Sequence, residues 1–455
     1  MNESRAMIIS ANPQALAVVA SSARMSTQQG TALEVYARGG DREKNLKLIE
    51  KVLASGHKSV IEHQTLSIAF NDVSVMVEQF VIEFRLASFT VKSRRYVDFS
   101  GAGYVVPAMQ SEAEERYRAG MDALFHAYSS LLERGIPKED ARFVLPYSLR
   151  SNFFMTINAR ELIRMICAML GRGARFAELK RLGEQLKGQF DTLYPGAIDA
   201  ELAQQSACAQ APLPCEFRAG SDVAGGAELA DAPRDAVNLL ERVMAFSGRF
   251  APEGGRYACP QKNIRALLRD GRPRELEALN YTFCIRNLSL ACLTHFTRHR
   301  MQSPQIPNVL FALSRGDYVL PASVAADPEA GAIYRKAFAG QTALARELSA
   351  MGMPPELLVY CAMSGHVLDF MTTLNARELL HFAKLRTCSR AQWEIRGIAR
   401  RMLELLNESA TEIFGGYGPS CAVTGTCPEG KMSCGNPVQV ENGVWRSAAD
   451  HLEGE

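Results

Sequence analysis

Long apolar runs are missing from this sequence: none reaches the ~18 residues a membrane-spanning helix needs. The N-terminus lacks the pattern of a signal peptide, so a cytoplasmic protein with no membrane partner is expected. Neither sign of charge is in excess. A formal net charge of +2 makes no electrostatic footprint for nucleic acid, although a small anionic ligand needs only a local cluster of cations. A G-x-G-x-x-G turn following a strand and a P-loop are both absent. No Ser-His-Asp order is evident, which weakens dinucleotide-fold and acyl-transfer readings.

What is present is ordinary in bulk. The 455 residues are 47% hydrophobic and 22% charged, as in a soluble globular chain of two or three domains at ~150 residues each. Of 11 cysteines, Cys167, Cys284, Cys292 and Cys361 lie singly in apolar segments, which fits a reducing compartment. Cys421, Cys427 and Cys434 share a Gly-rich tail. Their spacing matches no standard zinc pattern. They could hold zinc or iron–sulfur with a fourth ligand from elsewhere, or stay unmetallated, so no metal ligand is assigned.

The sequence repeats itself at a separation of about 215 residues. Gly56, Glu62, Ser74, Arg85 and Ser88 fall on Gly271, Glu277, Ser289, Arg300 and Ser303. Tyr104-Val-Val-Pro107 falls on Tyr318-Val-Leu-Pro321, and Asn158-Ala-Arg-Glu-Leu162 on Asn375-Ala-Arg-Glu-Leu379. A period this long points to two fused copies of one domain rather than a solenoid. The expected divisions are a first copy over 1–195, a linker over 196–235, a second copy over 236–415 and a Cys/Gly-rich tail over 416–455.

Apolar spacing predicts helices over Ser10–Arg24, Asp41–Leu53, Glu112–Arg134, Thr156–Leu170 and Ala174–Phe190, with later counterparts at Thr373–Leu385 and Ser389–Leu406. Thr65–Phe70, Val73–Phe84 and Tyr281–Phe296 are β-branched and apolar throughout, so helix and strand are hard to separate; Asp72 suggests a turn. Ser88–Tyr104 reads as a functional loop.

Several stretches carry chemistry. Arg298-His299-Arg300 packs two guanidiniums around an imidazole, a donor set suited to phosphate or an anionic heterocycle; taken alone, it reads more readily as a solvated basic end. Gly56-His57-Lys58-Ser59-Val60-Ile61-Glu62-His63 offers capping or acid/base groups. Ser88, Ser93, Arg94, Arg95 and Tyr96 make a phosphate cradle or a solvated basic turn. Asn158–Arg160 and Asn375–Arg377 open helices whose dipoles favour an anion. Ala391–Arg396 could be no more than a charged helix face.

The order G-H-x-S-x-x-E-H, R-H-R-x-x-S, S-x-R-Y, L-P, N-A-R and A-Q-W-E-I resembles flavin-dependent thymidylate synthase, the ThyX family, over nearly the whole of each half. The resemblance implies an α+β fold, here two fused ThyX-like domains, each a mainly antiparallel sheet flanked by helices. It implies FAD as cofactor, with NADPH and methylenetetrahydrofolate as co-substrates. It implies reductive methylation of dUMP to dTMP, and sites assembled between subunits of a tetramer. Two copies of this chain would then form a pseudo-tetrameric homodimer.

Carried across by position, the resemblance is uneven. The first half keeps His57, Ser59 and Glu62 on the flavin side, Ser93, Arg94, Arg95 and Tyr96 in the substrate loop, Arg142 for the nucleotide, and Asn158 and Arg160 for flavin. Its R-H-R has become Glu83-Phe84-Arg85, and Met169 replaces an expected arginine. The second half keeps Arg298, His299, Arg300, Asn375 and Arg377 for flavin, and Arg386 for the uracil ring, with Arg386 and Arg298 as the catalytic pair. In place of the His-Glu-His set it has Arg272, Glu277 and Ala278, and Asn308, Leu310-Phe311 and Val359 stand where substrate-loop and nucleotide residues should be. The losses are complementary, which implies a composite site drawing on both halves. The alternatives are a paralogue acting on another pyrimidine nucleotide such as UMP, and a non-catalytic flavin- or nucleotide-binding protein.

Overall fold

The computed structural model describes residues 3–204, 212–248, 260–435, 439–441 and 444–446. The first sheet contains β1 (Arg5–Ala11), β2 (Thr65–Ser74), β3 (Ala87–Val91) and β4 (Arg150–Asn158), in the order β1-β2-β4-β3. The second contains β5 (Gly226–Asp231), β6 (Asn280–Ser289), β7 (Gln302–Gln305) and β8 (Val367–Asn375), in the order β5-β6-β8-β7. Every neighbouring pair is antiparallel. The fold is α+β, with one architecture present twice.

The duplication extends to the irregularities. Register slips between Phe70 and Val73 in β2 and between Ile285 and Leu288 in β6. Asp72 and Asn287 sit at these bulges with φ of 51° and 50°, a left-handed region that short polar side chains tolerate best after glycine. Their N–H groups donate to the facing central strand, Asp72 to Asn152 Oδ1 (3.0 Å) and Asn287 to Asp369 Oδ1 (2.8 Å). The turn expected at Asp72 is therefore a bulge inside one continuous strand.

Each of β2 and β6 runs straight into a buried helix, Val75–Ile82 or Leu290–Phe296, capped by Ser74 or Ser289. The last strand residues, Val73-Ser74 and Leu288-Ser289, and nearly all of each helix are buried, so no polar face marks the change of period at the junction. Buried glutamates hold the caps: Ser74 N–H donates to Glu178 Oε1 (3.0 Å), and Ser289 donates through N–H (2.8 Å) and Oγ (2.5 Å) to Glu394. Glu394 comes from the Ala391–Arg396 stretch, so part of that stretch is core rather than charged face.

Other boundaries move for a similar reason. Strands β4 and β8 continue to Asn158 and Asn375, so the helices expected over Thr156–Leu170 and Thr373–Leu385 are Ala159–Leu170 and Ala376–Arg386. Residues from Ser10 to Ala11 finish β1, and the first helix is Ala15–Met25. The helices expected from Ala174 and Ser389 are Ala177–Asp191 and Trp393–Ser409. The helix expected over Asp41–Leu53 is Arg42–Ala54, capped by Asp41, and Gly56 follows at φ 85°. The 196–235 stretch holds helix Ala197–Gln204 and edge strand β5, too short and small-residued to show a period.

The chain divides into two compact units. One comprises Met1–Ala219, Leu313–Gly316 and Pro321–Ser364; the other comprises Gly220–Ala312, Asp317–Leu320 and Gly365–Glu455. Within the first, helix Ser111–Glu133 packs against Pro328–Ala350, its repeat counterpart. Gln341 Nε2 donates to Gly120 O (3.4 Å), Arg116 pairs with Glu347 (3.3 Å) and Arg134 with Asp327 (2.8 Å). Pro146 and Met363, also equivalent positions, face each other in an antiparallel bridge.

Candidate active site

His299 is buried, at 4% exposure, while Arg298 and Arg300 on either side are exposed. Gln302 fixes this turn. Its Nε2 donates to Phe296 O (2.5 Å) and His299 O (2.7 Å), and its Oε1 accepts from Thr372 Oγ1 of β8 (2.7 Å). β8 leads into helix Ala376–Arg386, which grips the imidazole at both nitrogens. Arg386 Nε donates to His299 Nε2 at 2.9 Å. A guanidinium has no acceptor, so Nε2 is unprotonated there; the ring proton sits on Nδ1 and is donated to Glu378 Oε1 at 2.9 Å.

Burial pushes the His299 pKa below its usual 6.5; the bond to Glu378 pulls it up and the Arg386 charge pushes it down again. The edge-on Phe382 ring, 4.7 Å away, completes the enclosure. His299, Glu378 and His381 bring three ligand-capable atoms within 4.8 Å of one another. The arrangement suits a hydrogen-bonded chain better than a cation, since both His299 nitrogens are engaged and a guanidinium lies against one of them.

The N-A-R segments do the same local work in both copies. Asn375 Oδ1 accepts from Glu378 N–H (2.9 Å), and Asn158 Oδ1 from Glu161 N–H (3.0 Å), each capping its helix. Arg377 pairs with Glu277 and Arg160 with Glu62, both at 2.5 Å. These pairs fasten the helix to a short 3-10 turn, Lys58–His63 in one copy and Arg274–Ala278 in the other. His57, Ser59 and Glu62 are exposed. Beside Arg160 lies a space of about 430 Å³, partly open to solvent, lined also by Lys58, Arg164 and Glu201, with Lys58 paired to Glu201.

The first-half loop separates its two arginines. Ser93 closes a tight turn, its O accepting from Val97 N–H (3.0 Å) and its Oγ from Arg95 N–H (3.3 Å). Arg94 turns inward and makes two 2.8 Å bonds to the Glu78 carboxylate, which also accepts from Ser151 Oγ. Arg95 pairs with Glu139 (3.1 Å), and the buried Arg142 donates through Nε to Glu139 O (3.1 Å). Tyr96 is 65% exposed, with the Arg95 guanidinium 5.3 Å from its ring. Arg95 and Arg142 thus both reach Glu139, Ser93 and Tyr96 belong to the same turn as Arg95, and Arg94 anchors the loop through Glu78.

The second-half counterparts have lost this character. Asn308 Oδ1 accepts from Leu310 N–H (2.9 Å), and Leu310, fully buried, opens helix Leu310–Arg315. Val359, in Arg142's place, is 2% exposed. Sequence reasoning passed over Glu78, Glu139, Gln302 and Glu378. For Glu378 a signal existed: it stands three residues after the cap Asn375, where a first-turn carboxylate is favoured.

Two antiparallel sheets of identical order, one copy with an arginine-gripped imidazole and the other with an arginine-lined turn, define a duplicated α+β protein. The family described as Thymidylate synthase complementing protein matches residues 7–196 and again 236–410; the chain belongs to that family and carries its domain twice. It is similar to the flavin-dependent thymidylate synthase of Geobacter sulfurreducens, 37% identical over 174 residues, 38% of this chain and 75% of that protein. Likewise similar is that of Clostridium tetani, 29% identical over 197 residues, 40% and 79% of the two chains. A crystal structure of a UMP/dUMP methylase PolB from Streptomyces cacaoi bound with 5-Br dUMP covers 44% of this chain and 96% of its own, with a TM-score of 0.39 and 23% identity. Among the described residues no helix is long and apolar enough to cross a membrane.

Proposed function

We propose that this protein catalyses FAD-dependent reductive methylation of dUMP to dTMP, with the methylene from methylenetetrahydrofolate and NADPH as reductant. Membership of the family supports the reaction class, and the gripped His299 supports the assignment of residues. A flavin needs cationic donors for its phosphates and its electron-rich ring edge. Exposed Arg298 and Arg300 around a buried neutral imidazole fit that need. When bound, the flavin supplies the hydride.

The protein's own contribution is electrostatic. Arg386 and Arg298 stabilise the negative charge that develops on the uracil carbonyl or on the reduced flavin. His299 links Glu378 to Arg386 through its two ring nitrogens and so orients the guanidinium. Ser93, Arg95, Tyr96 and Arg142 hold the nucleotide phosphate, which displaces the Glu139 carboxylate from Arg95. Arg386→Ala is expected to lower turnover by ~10²–10³ while flavin stays bound; unchanged turnover rejects the assignment.

The composite site belongs to the same proposal. One pocket takes its nucleotide loop from a first half and its R-H-R cluster from a second half, in a homodimer that mimics a tetramer. The complementary losses support it: Leu310 and Val359 are buried apolar residues where the first copy has Arg95 and Arg142. Flavin per purified chain is the measurement, with one expected and two contradicting it. The altered second-half loop also favours a second reading, action on a ribonucleotide such as UMP. Proton exchange at C5, compared for dUMP and UMP, decides between them.

A further inference from the structure

Four cysteines stand apart from the apolar core and from the site above. Cys388 lies two residues past Arg386, in the connection between helices Ala376–Arg386 and Trp393–Ser409. The tail returns to this connection at two points. Ser420 Oγ donates to Lys384 O (3.4 Å), and Arg390 Nη2 donates to Ser433 O (3.1 Å). Ser420 precedes Cys421 and Ser433 precedes Cys434, while Lys384 and Arg390 flank Cys388. Both ends of the tail loop are therefore pinned beside one thiol. Cys427 lies in the middle of that loop and is exposed. Gly425, at φ 73°, ends the short helix Ser420–Thr424 and turns the chain between Cys421 and Cys427.

We infer that Cys388, Cys421, Cys427 and Cys434 are the ligands of one zinc-class metal ion that staples the tail to the end of the Arg386 helix. Four thiols match the closed tetrahedral set of a structural zinc site, and all four belong to the same compact unit. A divalent cation takes the sulfurs deprotonated. Arg390 offsets part of the resulting negative charge. The sulfurs stand wider than ligand spacing, since no three of them come within 4.8 Å of one another. An ion at about 2.3 Å from each sulfur would draw the loop in.

The test is elemental analysis of the full chain purified under reducing conditions, together with cobalt substitution. One zinc per chain is expected, as is a thiolate-to-cobalt charge-transfer band of tetrahedral type. Cys388→Ser and Cys427→Ser should each remove most of the bound metal, whereas Cys215→Ser, at an exposed cysteine in the other unit, should not. Far-UV circular dichroism confirms that each variant is folded; if Cys388→Ser fails, the exposed Cys427 position carries the test. A folded, reduced chain that takes up neither zinc nor cobalt overturns the inference. So does metal content indifferent to Cys427→Ser, or a coloured cluster containing labile sulfide.

Discussion

At the level of single residues, the site depends on which partner each charge has. Removing the Glu378 charge by Glu378→Gln removes an influence that raises the His299 pKa, so the ring should titrate lower still; imidazole NMR resonances through a pH series measure it. Arg94 makes the complementary point. It reads from the sequence as one of two equivalent loop arginines, yet it is 9% exposed and bonded at both ends to Glu78. Arg94→Ala leaves that carboxylate buried and unpaired, and should cost about 3–5 kcal/mol in urea unfolding. Nothing local distinguishes Arg94 from Arg95. The difference comes from Glu78 in a preceding helix, a relation that only the fold makes.

At the level of elements, most of the architecture was legible where one face is wet. The amphipathic helices Arg42–Ala54 and Ser111–Glu133 fall close to their expected bounds. Where β2 and β6 pass into enclosed helices, both periods are overwritten by uniform burial, and the boundary shows only in the caps Ser74 and Ser289. The bulges were illegible because a left-handed Asp or Asn resembles a turn residue. Asn287→Val should cost about 1–2 kcal/mol, and Asn287→Gly far less, as bulky side chains are disfavoured at positive φ. Thermal unfolding of the two variants measures the gap.

At the level of the whole molecule, acid should be destabilising. His366 is fully buried, with its pKa held down to about 3, and His299 is lowered as well, burial being the main cause for both. Their folded values lie below those of the unfolded chain. The associated stability is present above about pH 6.5 and is lost as pH falls through the depressed values, because the unfolded state takes the protons. Urea unfolding between pH 7 and 4 should show the decline, flattened in His366→Phe. A chain cut after residue 219 should unfold without cooperativity, since the first unit includes Pro321–Ser364. That inclusion also sets a timetable for the nascent polypeptide. At ~5–20 residues per second, the ribosome needs on the order of ten seconds after the opening sheet emerges to deliver helix Pro328–Ala350. Helix Ser111–Glu133 must wait that long for its mate, and so is the surface where a chaperone would bind during synthesis.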